Sequence, residues 1–233
     1  MTYQLHEFPT DSELIDSLAP MIAQQLKQAI ASRSHATLAV SGGKTPINLF
    51  SALSEQNVLW DRVTVTLIDE RWVDSRHADA NAGLVKEYLL AGQAKRATFI
   101  SLKAPYDSPY DSVQTISKRI EPILPIDVAI LGMGADGHTA SFFPDADTLD
   151  EAMDPNGDNI VCAVTPPNAP HERMTLTLPV ILNSHAIFLH IVGDEKRRVL
   201  QDAIDNHQTT KYPISAIVNH PEKLVEIFFA EEA

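Results

Sequence analysis

The segment that decides the fold runs from Ile126 to Pro144 and reads Ile-Asp-Val-Ala-Ile-Leu-Gly-Met-Gly-Ala-Asp-Gly-His-Thr-Ala-Ser-Phe-Phe-Pro. Val128 to Leu131 form a short apolar run rich in strand-forming residues. The three glycines that follow let the backbone turn sharply and pass close to a ligand. His138 comes directly after the last of them, two residues beyond Asp136. A carboxylate at this spacing can orient an imidazole that works near neutral pH.

The same segment also satisfies the G-x-G-x-x-G pattern of dinucleotide-binding turns, at Gly132 to Gly137. That pattern belongs in the first strand-helix unit of a chain, before a long helix and an acidic residue at the end of the next strand. Here the turn lies mid-chain, Pro144 leaves no room for a long helix after His138, and residues 145–159 are predicted to form a polar loop. We therefore predict no dinucleotide and no other cofactor.

A second glycine-rich junction lies between a predicted strand and a predicted helix. Thr37 to Val40 is predicted to be a buried strand, and Ser41-Gly42-Gly43-Lys44-Thr45-Pro46 follows it. Glycines here expose backbone N–H groups, and the helix after Pro46 points the positive end of its dipole at them, which favours phosphate binding. The junction is not a Walker A loop, because Leu38 stands where that pattern requires glycine. The alternative is a plain tight turn with a solvated lysine.

Charged residues stand where three further predicted elements begin or end. The predicted strand Val63 to Ile68 closes on Asp69-Glu70-Arg71-Trp72, at the edge where open α/β sheets place their ligand crevice, although plain surface charge is the alternative. Arg173 opens an apolar segment as either a helix-end neighbour or an anion ligand. Lys196 lies in the first turn of a predicted helix, against the dipole preference, and is therefore predicted to face a ligand.

Predicted strands and helices alternate along the chain. Further helices are predicted at 11–32, 79–90, 112–120 and from 194 onward, and further strands at 98–102, 160–164, 186–193, 215–218 and 225–229. Asp11 or Ser12 is predicted to cap the first helix, and His190, inside an apolar strand, is more typical of a satisfied core histidine than of a catalyst. The alternation predicts an α/β fold over residues 1–233: a single-domain, doubly wound, Rossmann-like and mostly parallel sheet with helices on both faces.

Composition narrows the possible partners and location. The chain has 233 residues, is 44% hydrophobic and carries a formal net charge of −13. This charge argues against a nucleic-acid or anionic-membrane surface, so an anionic substrate needs a local basic site. Cys162 is the single cysteine and is expected to be a core residue, with no disulfide and a reducing compartment. Residues 1–7 lack a leader-like pattern and no segment approaches membrane-spanning length, so the cytoplasm is the expected location.

Taken together, these motifs resemble the 6-phosphogluconolactonase family in its short, single-domain bacterial form. The resemblance spans nearly the whole chain and rests on the order of five stretches: residues 41–46, 69–72, 132–144 and 173–179, and Gly193 with Lys196. It implies hydrolysis of 6-phospho-D-glucono-1,5-lactone to 6-phospho-D-gluconate, a step of the oxidative pentose phosphate pathway. The implied partner is this small-molecule lactone.

Hydrolysis of a lactone needs a base for water, donors for the oxyanion and an anchor for the phosphate. His138 is the expected base, with Asp136 nearby to orient it or to shape the loop and Arg71 stabilising charge at the carbonyl. The expected phosphate ligands are the residues of the glycine-rich junction and two cations: Gly42, Gly43, Lys44, Thr45, Arg173 and Lys196. Asp69 is expected at the same site, shaping it. No metal is expected, because Asp136 and His138 lack further clustered ligands.

Two alternatives come from the same superfamily resemblance. Glucosamine-6-phosphate deaminase shares the S-G-G-x-T-P and D-G-H stretches but typically carries Tyr where Arg71 stands and a Phe-Asn-Glu-Pro run after D-G-H. Here Phe142-Phe143-Pro144 supplies no carboxylate, which removes an acid-base group that the isomerisation needs. The other alternative is a binding-only sugar-phosphate sensor, but no basic helix-turn-helix precedes residue 36. Closure of the 145–159 loop over the ligand is a further hypothesis.

Overall fold

A computed structural model describes residues 3–232 and places ten strands in two sheets within that range. The strands are β1 (Tyr3–Thr10), β2 (Ala36–Val40), β3 (Val63–Leu67), β4 (Asp69–Arg71), β5 (Thr98–Phe99), β6 (Val128–Leu131), β7 (Val161–Val164), β8 (Arg173–Leu176), β9 (Ala186–Val192) and β10 (Val225–Glu232). Seven of them form a parallel sheet in the order β1-β10-β9-β6-β2-β3-β5. The predicted α/β class with a mostly parallel sheet is confirmed.

Eight α-helices connect and cover these strands in the described part of the chain. They are α1 (Asp11–Arg33), α2 (Ile47–Ser54), α3 (Asn81–Leu84), α4 (Val113–Ile120), α5 (Leu149–Met153), α6 (Leu178–Leu182), α7 (Asp194–Asn206) and α8 (Ser215–Val218). A π-helical turn, Val85–Leu89, continues α3. The predicted apolar face of the first helix is buried against the core through Leu14, Leu18, Ile22 and Leu26.

The order of the strands reverses between β2 and β6. From β2 the chain builds outward through β3 to β5, then returns to β6 on the other side of β2 and builds outward through β9 to β10. The first strand of the chain, β1, pairs with β10 and forms that edge of the sheet. Connections that diverge from two neighbouring parallel strands leave a crevice at the carboxyl ends of those strands. The two glycine-rich segments, 41–46 and 132–138, begin directly after β2 and β6 and therefore lie at this crevice.

A second, three-stranded antiparallel sheet of order β4-β8-β7 stands beside the main sheet. Ile68 joins the two sheets, because its N–H donates to Val40 in β2 and its carbonyl accepts from Leu176 in β8. In the pairing of β4 with β8, Arg71 lies directly opposite Arg173. The strand predicted at 160–164 exists, but it belongs to this second sheet, which the sequence analysis did not anticipate.

Three local predictions were wrong. The apolar run at 215–218 is helix α8, since its N–H groups bond to carbonyls three and four residues earlier, and periodicity does not distinguish so short a buried helix from a strand. The segment 145–159 is not a plain loop, because it contains α5. The cap of α1 is Thr10, whose Oγ1 accepts from the N–H of Glu13 at 3.3 Å, and not Asp11 or Ser12.

Two further features concern the core and the membrane. The buried apolar residues of the described chain form one contiguous cluster that includes residues of both sheets. No helix within residues 3–232 is both long enough and apolar enough to cross a membrane.

Candidate active site

A cavity of about 270 Å³ opens at the carboxyl ends of β2 and β6. Nine of the ten residues predicted for the site line it: Gly42, Gly43, Lys44, Thr45, Asp69, Arg71, His138, Arg173 and Lys196. Asp136 does not line the cavity and contacts it only through His138. No residue of the 145–159 segment lines it either, and five residues of that segment border a separate cavity instead.

The pair formed by His138 and Asp136 leaves one imidazole nitrogen free. Nδ1 of His138 lies 2.5 Å from Oδ1 of Asp136, and the same carboxylate oxygen accepts the backbone N–H of His138 at 3.2 Å. The hydrogen bond from His138 lowers the pKa of Asp136, so this carboxyl is ionised at neutral pH. A carboxylate at Nδ1 selects the tautomer with the proton there, which leaves the lone pair on Nε2 for a base.

The loop after β6 fixes the orientation of the His138 ring. The imidazole packs over Gly134, where a Cβ atom would overlap the ring, so the position requires glycine. On its other side the ring stacks on Phe143, with 4.4 Å between centroids. Thr139 holds the base of the loop by donating its hydroxyl to the carbonyl of Gly132 at 2.8 Å. The ring is thus held by packing as well as by Asp136.

Arg71 and Arg173 enter the cavity from opposed positions of β4 and β8. Nη1 of Arg71 donates to the carbonyl of Asp79 at 2.7 Å, while its buried Nε has no partner. Arg173 donates through Nε to His171 and through Nη2 to Pro170, both times to backbone carbonyls. Burial lowers the pKa of Arg173, partly offset by the charge of Asp69. Both guanidinium groups are therefore positioned by backbone oxygens, which leaves charge available for an anionic ligand.

The two carboxylates that precede Arg71 have structural partners. Asp69 accepts the hydroxyl of buried Ser141 at 2.7 Å and so ties β4 to the histidine loop. Glu70 is buried and accepts from three backbone N–H groups, those of Arg71, Asn81 and Ala82. Burial raises the pKa of Glu70, and these hydrogen bonds oppose the rise. Asp69 lines the cavity, whereas Glu70 does not and instead holds the backbone of Asn81, which does.

The predicted phosphate junction borders the cavity after β2, and Lys196 borders it from the first turn of α7. Gly43 has a positive φ of 98°, which glycine adopts without strain, and Lys44 is exposed at the rim. Lys196 is half-buried, and this burial lowers the pKa of its ammonium group. A bound anion would favour the charged form of Lys196, so the environment suits a negatively charged ligand.

Asn81, Thr139 and His190 are three polar residues that line the cavity and were not predicted for the site. Asn81 packs its side chain against Gly42 and donates to the carbonyl of Asp69, and Thr139 supports the histidine loop. The third, His190, was expected to be a satisfied core histidine. It is buried and its Nε2 bonds to Asp11, as expected of a core histidine, but its Nδ1 has no partner among the described residues and the residue lines the cavity. The expectation of a fully satisfied histidine was wrong, and no local pattern around His190 signals its position.

Two other reactive groups lie outside the cavity. Burial raises the pKa of Cys162 to about 11, so this thiol is a poor nucleophile, as expected for a core cysteine. His77, Asp79 and His171 lie together near the surface, with potential ligand atoms within 4.8 Å of one another. Their geometry could hold a metal ion, but they also satisfy one another: Nε2 of His171 bonds to Asp79 at 2.9 Å, and Nδ1 of His77 accepts the N–H of Asp79. The absence of a metal from the reaction stays a prediction.

Comparison with known proteins defines the class to which this site belongs. Residues 9–226 match the family described as glucosamine-6-phosphate isomerases/6-phosphogluconolactonase. The chain belongs to this family.

Relatives within the family are more specific. A 6-phosphogluconolactonase of Mesorhizobium japonicum is 42% identical over 98% of this chain and 96% of its own length. A 6-phosphogluconolactonase of Pseudomonas aeruginosa is 41% identical over 90% of this chain and 89% of its own length. The crystal structure of a 6-phosphogluconolactonase from Shewanella baltica covers 98% of this chain and 97% of its own, with a TM-score of 0.95 and 37% identity. A monomeric glucosamine-6-phosphate deaminase, at 19% identity and a TM-score of 0.79, shares the fold.

Proposed function

We propose that this chain hydrolyses 6-phospho-D-glucono-1,5-lactone to 6-phospho-D-gluconate, the lactonase step of the oxidative pentose phosphate pathway. One observation carries the proposal: a histidine held through Nδ1 by a carboxylate faces the same cavity as two arginines and a glycine-rich junction. The family and the lactonase relatives at up to 42% identity support it.

In the proposed reaction, Nε2 of His138 takes a proton from water, and the resulting hydroxide attacks the lactone carbonyl carbon. Asp136 keeps Nδ1 protonated and stabilises the imidazolium that forms. The tetrahedral intermediate collapses when the bond from the carbonyl carbon to the ring oxygen breaks, and the imidazolium returns its proton to that oxygen. No covalent nucleophile is needed, which is consistent with the buried thiol of Cys162.

Charge stabilisation is assigned to the cations of the cavity. Arg71 carries a buried Nε without a partner, and we assign this group to the oxyanion that develops on the carbonyl. The phosphate is assigned to the backbone of Gly42 and Gly43 and to the side chains of Lys44, Thr45, Arg173 and Lys196. Asp69 is a positioning residue in this scheme, because its carboxylate bonds to Ser141.

The deaminase alternative is disfavoured by the same loop. The run after His138 places Phe143 flat against the imidazole, and it offers no carboxylate to move protons between sugar carbons.

We further propose that the chain acts as one domain over residues 1–233, without cofactor or metal, in the cytoplasm. The single apolar core cluster supports the one-domain proposal.

The deciding assay follows hydrolysis of freshly generated 6-phosphoglucono-δ-lactone, corrected for spontaneous hydrolysis, with glucosamine 6-phosphate as the competing substrate. The proposal expects lactone hydrolysis and no release of ammonia. Ammonia release from the amino sugar would move the chain to the deaminase class. Inactivity on both substrates, with retained binding of sugar phosphate, would make it a binding protein.

A further inference from the structure

Unpartnered polar atoms concentrate at the cavity. Five buried side-chain nitrogen or oxygen atoms of the described chain have no hydrogen-bond partner, and four of them belong to residues that line the cavity. These four are Ser41 Oγ, Arg71 Nε, Asn81 Oδ1 and His190 Nδ1. Buried polar groups are normally paired, so such a cluster indicates groups that await a ligand. The proposed mechanism assigns Arg71 Nε, whereas His190 Nδ1, like Ser41 Oγ, has no role in the fold or in the mechanism.

His190 is one half of a buried pair that joins two elements distant in sequence. Its Nε2 lies 2.8 Å from Oδ1 of Asp11, and the two side chains are 2% and 7% exposed. Asp11 is the first residue of α1, where the positive end of the helix dipole favours a negative charge. The carboxylate occupies Nε2, so Nδ1 is the ring nitrogen left for a ligand, and the described chain supplies no partner for it.

The cations that share the cavity with His190 indicate which kind of ligand group forms a hydrogen bond with its Nδ1. His190 lies near the end of β9, and the same connection carries Lys196 into the cavity from the start of α7. The neighbouring strands contribute the glycine-rich junction after β2 and the loop after β6. A donor among cations, with its other nitrogen neutralised by a carboxylate, is complementary to a multiply charged anion.

We propose that His190 binds the phosphoryl group of the substrate through an Nδ1–H donor, and that the Asp11 carboxylate at Nε2 balances the charge of the ring in this complex. This inference rests on the proposed function for the identity of the ligand, a sugar phosphate. His190 contributes to substrate affinity in this scheme, whereas His138 performs the proton transfers.

A matched control exists in the same chain. His6 forms a similar pair with Glu226, with 2.7 Å between Nε2 and Oε2, on neighbouring strands at the edge of the main sheet. His6 is not among the residues that line the cavity. Replacing His6 therefore removes the same kind of histidine-carboxylate pair without touching the proposed ligand.

The first test compares His190→Leu with His6→Leu by steady-state kinetics on the phosphorylated lactone and by inhibition with inorganic phosphate. A lost charge-assisted hydrogen bond should raise KM and the phosphate inhibition constant of His190→Leu by roughly 10- to 100-fold, with kcat within about 3-fold of wild type. His6→Leu should change neither constant. An unchanged KM and inhibition constant in His190→Leu, or a loss confined to kcat, would overturn the proposal.

The second test needs no folded variant. Nitrogen-15 NMR of the histidine rings in the wild-type protein reports which nitrogens carry protons, before and after titration with inorganic phosphate. Both nitrogens of His190 should be protonated, and the Nδ1 resonance should move with phosphate. An unprotonated Nδ1, a resonance that saturating phosphate leaves in place, or no phosphate binding at all would contradict the inference. Because these readouts do not involve lactone turnover, failure of the proposed function would be seen separately, as an inactive wild type that still binds phosphate through His190.

Discussion

Two histidine-aspartate pairs line or support the same cavity, yet they differ in nearly every other respect. His138 and Asp136 stand two residues apart on one loop, with side chains 30% and 53% exposed. His190 and Asp11 come from β9 and α1, and both are buried. In the first pair the carboxylate holds Nδ1, and in the second it holds Nε2. Chemistry alone therefore does not define the role of such a pair.

Solvent access fits the different roles that we propose for the two pairs. A general base must exchange protons with water, so the exposed pair of His138 and Asp136, here called the rim pair, suits proton transfer. The buried pair of His190 and Asp11 is here called the core pair. A buried ion pair changes its protonation at a large cost, so the core pair suits a fixed charge distribution that binds an anion. Three substitutions, used in four experiments, can break or sharpen this distinction.

The largest expected effect is on turnover. His138→Ala removes the proposed base and should lower kcat by about 10²- to 10⁴-fold, with KM within about 3-fold of wild type. Steady-state hydrolysis of the phosphorylated lactone measures both constants, and His207→Ala, at an exposed histidine outside the cavity, is the control. If His138→Ala raised KM and spared kcat, the two histidines would have exchanged roles.

The next effect concerns the carboxylate of the rim pair. Asp136→Asn replaces an acceptor at Nδ1 by an amide that can donate, which favours the wrong imidazole tautomer, so kcat should fall by roughly 10- to 10³-fold. Asp147→Asn, at an exposed residue a few positions further on, serves as the control and should retain wild-type kcat. A wild-type rate for Asp136→Asn would show that ring stacking alone orients His138.

The stability of the fold should depend more on the core pair than on the rim pair. Asp11→Asn breaks a buried pair and should lower the free energy of unfolding by about 2 to 4 kcal/mol. Asp136→Asn breaks an exposed pair and should lower it by less than about 1 kcal/mol. Urea unfolding of both variants at pH 7 compares them directly, and equal losses would mean that the two pairs are energetically alike.

The smallest effect is a pH dependence that belongs to the rim pair. The hydrogen bond from His138 lowers the pKa of Asp136 below its unfolded value of about 3.9. The stability it contributes is therefore fully present above the unfolded pKa and is lost as pH falls through the lower folded pKa. The difference in unfolding midpoint between wild type and Asp136→Asn should shrink as pH falls from 5 toward 3. A difference independent of pH would show that the carboxylate charge contributes nothing.

The sequence predicted what local patterns encode. The buried parallel strands are continuous apolar runs, and each glycine-rich junction follows one directly. Both the sheet and the loops that line the cavity could therefore be predicted from the sequence. His138 and Asp136 were found together because the pair lies within one turn. Strand β1 was not predicted, because many of its residues are exposed and it lacks an apolar run.

The features that were missed depend on contacts between distant segments. The pair of His190 and Asp11 joins residues 179 positions apart, and Asn81 reaches the cavity only because α3 packs beside Gly42. Likewise, the second sheet forms from three short strands whose pairing no local period specifies. These features depend on tertiary packing, which local secondary-structure propensity does not predict.

The second sheet has a consequence for the life of the protein in a cell. Its register sets Arg71 opposite Arg173, and the hydrogen bonds of both side chains go to carbonyl groups, which carry no full negative charge. Like charges on directly opposed residues repel, and Asp69 offsets this repulsion at Arg173, so a bound anion adds attraction to both side chains. A ligand present at 100 times its Kd adds about 2.7 kcal/mol to the stability of the folded state. We therefore expect sugar phosphate to protect the chain from proteolysis, so that its abundance rises with the supply of its own substrate.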